Sequence, residues 1–115
     1  MTKKQLIDYC LSLPSVYLDF PFDETTAVMR HMANSKMFAL IDEKDGKVFI
    51  NLKCEPARAE FLRSVYNSVV PGWHMNKNHW NTVYIGGDVS SEELFDMIAH
   101  SFELTAPKIK KAKSK

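Results

Sequence analysis

The chain has few of the residues that mark secreted, membrane-embedded or metal-binding proteins. It is 115 residues long and holds two cysteines, Cys10 and Cys54, whose spacing matches no metal or redox motif. No apolar run approaches the roughly 20 residues needed to cross a bilayer, and the N-terminal segment does not have the pattern of a signal peptide. We therefore expect a cytoplasmic protein with reduced thiols and no contact with a membrane.

Several enzyme signatures are missing as well. The four glycines form no phosphate-binding loop, and the chain has neither a nucleophile elbow nor a His-Glu-x-x-His run. Asp19, Asp23 and Glu24 lie close together, but their spacing suits a solvated loop as well as a pair of catalytic carboxylates. Cys54 precedes a predicted helix, where a thiol pKa can fall, although the neighbouring Glu55 opposes that shift. The sequence predicts no catalytic residue and no cofactor.

Charge is distributed unevenly along the chain. Of its 15 basic residues, five are lysines within residues 108–115, which contain no acid. Residues 1–107 therefore carry 10 basic and 14 acidic residues, a net charge of −4 against +1 for the whole chain. We expect one domain over residues 1–107 and a disordered, lysine-rich tail over residues 108–115. Because affinity for phosphate comes mainly from Lys and Arg, the tail can attract nucleic acid and the domain as a whole cannot.

Apolar periodicity and capping residues predict three helices. Capping boxes at Thr2 and Ser90 mark the starts of the first and the last helix, and Pro56 suits the first turn of the second. The buried stripe of the second helix is predicted to consist of Ala57, Phe61 and Val65, with Leu62 and Tyr66 beside it.

Alternating apolar residues predict strands between these helices. Residues 25–32, 36–41 and 48–53 indicate a three-stranded meander, and residues 80–85 indicate a later strand. Residues 15–24, rich in aromatic side chains, are interpreted as an irregular link. Strands in short-linked runs favour an α+β domain of two layers, with an antiparallel sheet and helices on one face.

The densest polar and aromatic segment runs from Pro71 to Thr82. It contains two indoles, two imidazoles, three carboxamides and one lysine, but no acid. Indoles can stack on bases, and amides and imidazoles can hydrogen-bond to base edges or phosphates, whereas a core role for the indoles and a turn role for the asparagines are the alternatives. The candidate residues for binding nucleic acid or another ligand are Trp73, His74, Asn76, Lys77, Asn78, His79, Trp80 and Asn81, with Lys53, Arg58 and Arg63 as additional phosphate contacts.

A zinc site that includes His74 and His79 is a further alternative. Their i, i+5 spacing suits no helical ligand pair, and two ligands do not complete a tetrahedral site. His31 or His100 would have to join them in space.

Five segments of the chain resemble the MmcQ/YjbR family. They are Phe20-Pro21-Phe22, residues 36–41, residues 51–56 with Arg58-Ala59, residues 72–77, and residues 79–83. The resemblance covers most of residues 1–107 and implies an α-β-β-β-α-β-β-α domain of the CyaY-like type, a fold shared with secretion chaperones. Members of the family are predicted to bind DNA through a double-wing motif, so the resemblance implies the same expectation for this chain. It brings no established catalytic residue or cofactor. Glu55 stands where the family more often has aspartate.

Three functions are compatible with these observations. The first is DNA binding through hairpin tips. Residues 76–79 form a tip that is free of acid and suits this role, whereas residues 42–47 carry three acids and two lysines, so phosphate is expected to repel that tip. The second is a protein-interaction or chaperone-like module, for instance a homodimer, which the acidic domain and the aromatic residues 17–22 favour. The third is a small-molecule binder or enzyme with a pocket beside the two tryptophans and the two histidines of residues 71–82.

Overall fold

The structure, a computed structural model, describes residues 1–108 of the chain. Its three helices are α1 (Lys3–Leu11), α2 (Pro56–Val65) and α3 (Ser91–Thr105). Its six strands are β1 (Val16–Asp19), β2 (Ala27–His31), β3 (Met37–Lys44), β4 (Lys47–Lys53), β5 (Val69–Pro71) and β6 (Trp80–Tyr84). Of the predicted lysine-rich tail at 108–115, all but Lys108 lies outside the described residues.

All six strands form one antiparallel sheet in the order β1-β2-β3-β4-β6-β5. The predicted meander corresponds to β2, β3 and β4, and the β5–β6 hairpin joins the sheet beside β4. The α+β class with an antiparallel sheet is therefore confirmed. Within residues 1–108 no helix has the length and apolar character needed to cross a membrane.

The structure contains one strand more than the predicted order. Residues 16–19, interpreted from sequence as part of an irregular link, form β1 and pair with β2 at the edge of the sheet. The strand has only four residues, of which Val16 alone is fully buried, and Phe20-Pro21-Phe22 follows it at once. Its extended conformation comes from pairing with β2 and from packing against α1, and a sequence pattern shows neither contact.

The local signals that predicted helix starts and turns are confirmed. Thr2 and Ser90 both form complete capping boxes, and Pro56 stands in the first turn of α2. Asp45 and Gly46 both have positive φ values, 53° and 78°, and form the two-residue turn between β3 and β4. This turn fixes the register in which Lys44 lies opposite Lys47.

The three helices cover one face of the sheet, where the main core lies. Helix α1 packs on β1–β3, α3 on β3 and β4, and α2 on β5 and β6. Because side chains alternate along each strand, every second residue points towards the helices. The sheet side of this core includes Met29, Ala39, Ile41, Ile50, Leu52 and Val83, and the helix side includes Leu6, Cys10, Leu62, Leu94 and Ile98.

The predicted buried stripe of α2 is wrong. Phe61 is 61% exposed, Val65 is 51% exposed and Ala57 is also exposed. The helix instead buries Ala59 and Leu62, of which Leu62 was predicted to lie beside the stripe. Helix α2 packs mainly on the two strands at one edge of the sheet, β5 and β6, so a narrow strip of its surface is covered. The periodicity of the apolar residues was sound, but it could not show which side of the helix meets the sheet.

The opposite face of the sheet is free of helices within the described residues, and we call it the helix-free face. Phe49, Asn51 and Thr82 are nevertheless buried there. They are covered by the β5–β6 connection, residues 72–79, whose Trp73 contacts all three of these residues. The segment that carries most of the predicted site residues therefore lies over this face.

Candidate functional site

The β5–β6 connection is held tightly at its base. Gly72 N–H donates a hydrogen bond of 2.8 Å to the Trp80 carbonyl oxygen. A Cβ atom at residue 72 would stand 2.8 Å from both the Cβ atom and the carbonyl oxygen of Trp80. Glycine is therefore required for the two strands to approach this closely.

A closed ring of hydrogen bonds fixes the backbone of Trp73. Trp73 N–H donates to Thr82 Oγ1 at 2.9 Å, the Thr82 hydroxyl donates to Asn51 Oδ1 at 2.5 Å, and the Asn51 amide donates to the Trp73 carbonyl oxygen at 3.1 Å. Asn51 and Thr82 face each other across β4 and β6, and each is 1% exposed. Buried polar groups that satisfy one another define a single geometry. We call Asn51, Thr82 and the Trp73 backbone the tryptophan clamp.

The clamp leaves the indole of Trp73 open to solvent. The residue is 44% exposed. Its ring meets Phe49 edge-on, with 5.8 Å between centroids, and its centroid lies 4.1 Å from that of the His74 imidazole. Lys44 Nζ lies 4.8 Å from the indole centroid, within cation–π distance. Side chains from both hairpins therefore converge on one exposed aromatic ring.

Two grooves share Trp73 and Phe49 in their walls. The lysine groove, about 630 Å³ in volume, is also lined by Lys44, Lys47, Asp45 and Tyr84 and by the backbone of Gly86-Gly87. The apolar groove, about 390 Å³, is also lined by Phe22, Leu40, Met75, His74, Asn51 and Asp42. Both volumes fall in the range of small-ligand sites, roughly 300–1,000 Å³.

Several acids around these grooves already accept hydrogen bonds from neighbouring groups. Burial alone would raise the pKa of Asp42, but hydrogen bonds from Glu43 N–H, Thr26 and Lys3 lower it. Hydrogen bonds from Ser68 and Asn67 lower the pKa of Asp88.

The two groove lysines lack such partners. Among residues 1–108, neither Lys44 nor Lys47 forms an ion pair with a carboxylate. Among residues 1–108, Asp45 is the only acid in the wall of the lysine groove, so the charged side chains of these residues in the wall sum to one positive charge.

Two of the predicted cations brace the β5–β6 connection. Lys77 Nζ donates to the Gly72 carbonyl oxygen at 2.9 Å, and Arg63 Nη2 donates to the Lys77 carbonyl oxygen at 3.2 Å. Arg63 belongs to α2, so it ties that helix to the loop. Both charges stand beside the loop, but their hydrogen bonds also hold its shape.

The exposed tip of the connection contains three of the predicted site residues, Asn76, Asn78 and His79. Asn76 Oδ1 accepts a hydrogen bond of 3.0 Å from Asn78 N–H, so the asparagine side chain satisfies a backbone donor of the turn. The His79 carbonyl oxygen accepts from Cys54 N–H at 2.8 Å, so the tip is anchored to the end of β4.

The remaining predicted residues are divided between the two faces. Lys53 and Trp80 are opposite each other on β4 and β6, and both are half-buried on the helix-free face. Asn81 points towards the helices, where its Nδ2 donates to the Ala59 carbonyl oxygen at 3.3 Å. Arg58 lines a small crevice there with Asn81 and His100. Asn81 and Arg58 therefore lie away from Trp73.

The structure brings residues to Trp73 that were not among the predicted site residues. Lys44 and Lys47 belong to the hairpin tip that phosphate is expected to repel because it contains three acids, yet the Asp45-Gly46 turn places both on the side of Trp73. The two-residue turn was visible in the sequence and fixes this pairing. Asn51 was detectable as a polar residue inside an apolar strand.

The histidines do not gather around a metal. His31 is buried on the helix side, where its Nε2 lies 2.8 Å from Thr105 Oγ1 and burial lowers its pKa. His100 lies beside Glu55, with 3.9 Å between its Nε2 and the carboxylate. Neither joins His74, and in the part of the chain that the structure describes no three His, Cys, Asp or Glu side chains are placed to hold a metal ion.

Comparison with known proteins finds relatives of this chain. The YjbR family model matches residues 11–104. The uncharacterised protein YbdF of Escherichia coli O157:H7 is 38% identical over 105 residues, which cover 91% of this chain and 84% of YbdF. The uncharacterised protein YjbR of Escherichia coli K12 is 28% identical over 103 residues, covering 90% of this chain and 86% of YjbR.

A solved structure shows the same fold. A crystal structure of a protein from Pseudomonas syringae superposes with a TM-score of 0.84 at 31% sequence identity, and the match covers 92% of this chain and all of that one.

Proposed function

The chain belongs to the YjbR family, and from the geometry of its helix-free face we propose that it binds DNA there, with its two neighbouring hairpins as wings. The β3–β4 and β5–β6 hairpins adjoin in the sheet because β4 pairs with β6. The observation that carries the proposal is the tryptophan clamp, which holds an exposed indole where the hairpins converge. We propose the cytoplasm as the compartment, which the two free, buried cysteines support.

The energetics of Trp73 favour a binding role over a purely structural one. A core tryptophan gains stability by burying its ring, but Trp73 is 44% exposed as a residue. The clamp instead devotes two buried side chains, Asn51 and Thr82, to fixing the backbone beneath it. Each base stacked on such a ring contributes about 1–3 kcal/mol to binding. A ring held in advance loses little conformational entropy when a base stacks on it.

Lysines on the same side supply contacts for the DNA backbone. Lys44 and Lys47 line the groove beside the indole, while Lys53 and Lys77 lie along the β5–β6 hairpin. Each phosphate neutralised changes the slope of log affinity against log salt by about −0.7 to −0.9. Few contacts are involved, so we expect moderate affinity that falls steadily as salt is added.

A titration of the full chain tests this proposal. We would compare Trp73→Leu, which keeps an apolar contact with Phe49 but cannot stack on a base, with Phe61→Leu, which alters an exposed aromatic residue on α2. Trp73→Leu should weaken DNA binding about tenfold, as the loss of one stacked base predicts, while Phe61→Leu should leave it unchanged. The lysine-rich tail is present in both variants. Equal affinities would place any DNA binding outside this face and overturn the proposal.

A protein-interaction module is the second candidate function, and one observation favours it. Phe61 and Val65 are adjacent on the outer side of α2 and largely exposed, and exposed aromatic residues commonly anchor interfaces. A homodimer through α2 is its simplest form. Light scattering over a range of concentrations should then show dimers that Phe61→Glu dissociates. A monomer at every concentration would exclude the homodimer.

A further inference from the structure

We propose that the lysine groove takes an unpaired nucleotide, so that the chain prefers single-stranded DNA to duplex DNA. This inference rests on the proposed function and specifies its substrate. The groove combines exposed aromatic residues, which recognise a base, with the ammonium groups of Lys44 and Lys47, which recognise a phosphate.

The aromatic side of the groove is built on a buried ring. Phe49 is buried and meets Trp73 and Tyr84 edge-on, at centroid distances of 5.8 and 6.3 Å. The two outer residues, Trp73 and Tyr84, remain 44% and 38% exposed. Bases in a duplex present their faces to one another and not to a protein, so a stacking ring selects a base that has left the stack.

The charged side of the groove comes from the other hairpin. Lys44 and Lys47 stand opposite each other across the β3–β4 turn, and both line the groove. Neither is paired with a carboxylate among residues 1–108. Two lysines against the single acid Asp45 leave the wall net positive, which complements the single negative charge of a phosphodiester.

Lys44 connects the two sides. Its ammonium lies 4.8 Å from the indole centroid and covers part of the surface on which a base would stack. A cation–π contact at an exposed site is weaker than the stacking of a base on an indole ring. We therefore expect the base to replace the ammonium on the indole, and the released Lys44 to bind the neighbouring phosphate.

An NMR titration of the full chain tests this inference. The probes are a single-stranded oligodeoxynucleotide and the duplex of the same sequence, each added at two salt concentrations. The chain has two tryptophans, so each indole N–H can be assigned by substitution. The Trp73 indole and the Lys44 and Lys47 amides should shift with the single strand at about one-tenth of the concentration that the duplex requires.

A matched pair of lysine variants tests the phosphate contact. Lys44→Gln should weaken single-strand binding severalfold and reduce the salt slope by about 0.7. Lys36→Gln removes the same charge from an exposed lysine that directly precedes β3, at the end of the strand opposite Lys44 and about 25 Å from it. This substitution should change neither the affinity nor the salt slope. Equal effects of the two substitutions would mean that the charges act without a defined site, which would overturn the inference.

The outcomes separate the two proposals. If the Trp73 signals shift equally or more readily with duplex, the DNA-binding proposal stands and the unpaired-nucleotide inference fails. If neither DNA shifts the Trp73 indole, both fail.

Discussion

Replacing Thr82 by valine is the sharpest test of the tryptophan clamp. Valine keeps the volume and the β-branched shape of threonine but has no hydroxyl group. Two hydrogen bonds of the unsubstituted protein would be lost. Trp73 N–H donates the first to Thr82 Oγ1, and Asn51 Oδ1 accepts the second from the Thr82 hydroxyl. The substitution therefore changes the hydrogen bonding of the clamp with little change in packing.

The expected loss follows from the burial of these two partners. Asn51 is 1% exposed, so its carbonyl oxygen would stay unsatisfied at a cost of about 1–3 kcal/mol. The hydrogen bond from Trp73 N–H is only partly buried, so its loss adds less. We expect the free energy of unfolding to fall by about 2–3 kcal/mol in total.

Two measurements check this expectation. In urea denaturation the midpoint should fall by about 1 M or more, given slopes of about 1–3 kcal/mol per M for small proteins. Hydrogen exchange at the Trp73 amide should become faster than at amides in the centre of β3. Thr82→Ser is the control, since it keeps both hydrogen bonds and loses only a methyl group, worth about 0.8 kcal/mol.

One pattern of results would refute the clamp. If Thr82→Val destabilises the protein no more than Thr82→Ser does, and the Trp73 amide keeps its protection, these hydrogen bonds do not hold the loop. The argument for a pre-positioned indole would then lose its basis.

Three further predictions concern the loop, the histidine and the helix orientation. Gly72→Ala should lower the free energy of unfolding, measured by urea denaturation, by about 1–3 kcal/mol, because the added Cβ would lie 2.8 Å from Trp80. A loss of stability of less than about 0.3 kcal/mol would contradict the close approach of the two strands. Burial lowers the pKa of His31 below its usual value of 6.5. As the pH falls, His31 is therefore protonated in the unfolded chain before it is protonated in the folded chain, which lowers stability. Its contribution to stability is complete above pH 6.5 and is lost as the pH falls through the lower folded pKa, and His31→Gln should flatten this slope. Leu62→Ala should cost about 2–5 kcal/mol and Phe61→Ala about 0.5 kcal/mol or less, whereas the reverse order would mean that α2 is turned as the sequence predicted.

The sequence specified features that depend on a few neighbouring residues. The caps at Thr2 and Ser90 form between residues three apart, and the Asp45-Gly46 turn requires only two residues that tolerate positive φ. Alternation predicted the strands of the meander for the same reason, since side-chain direction repeats every two residues. These local rules sufficed for the α+β class.

Other features arose only from contacts between distant parts of the chain. Strand β1 exists because β2 lies beside it, and α2 exposes Phe61 because only the edge of the sheet is available to that helix. Neither result follows from periodicity, which gives the spacing of a stripe but not the surface that covers it.

The candidate site shows the same division. Its acid-free segment around Trp73 was evident in the sequence, and so was the turn that carries Lys44. The clamp joins Asn51 to Trp73 and Thr82, which lie 22 and 31 positions further along the chain. Lys44 reaches the indole from another hairpin. The sequence alone determined which chemical groups the chain carries and how short segments fold. The pairing of β4 with β6 decided which of those groups meet, because strand order in a sheet depends on the packing of the whole chain.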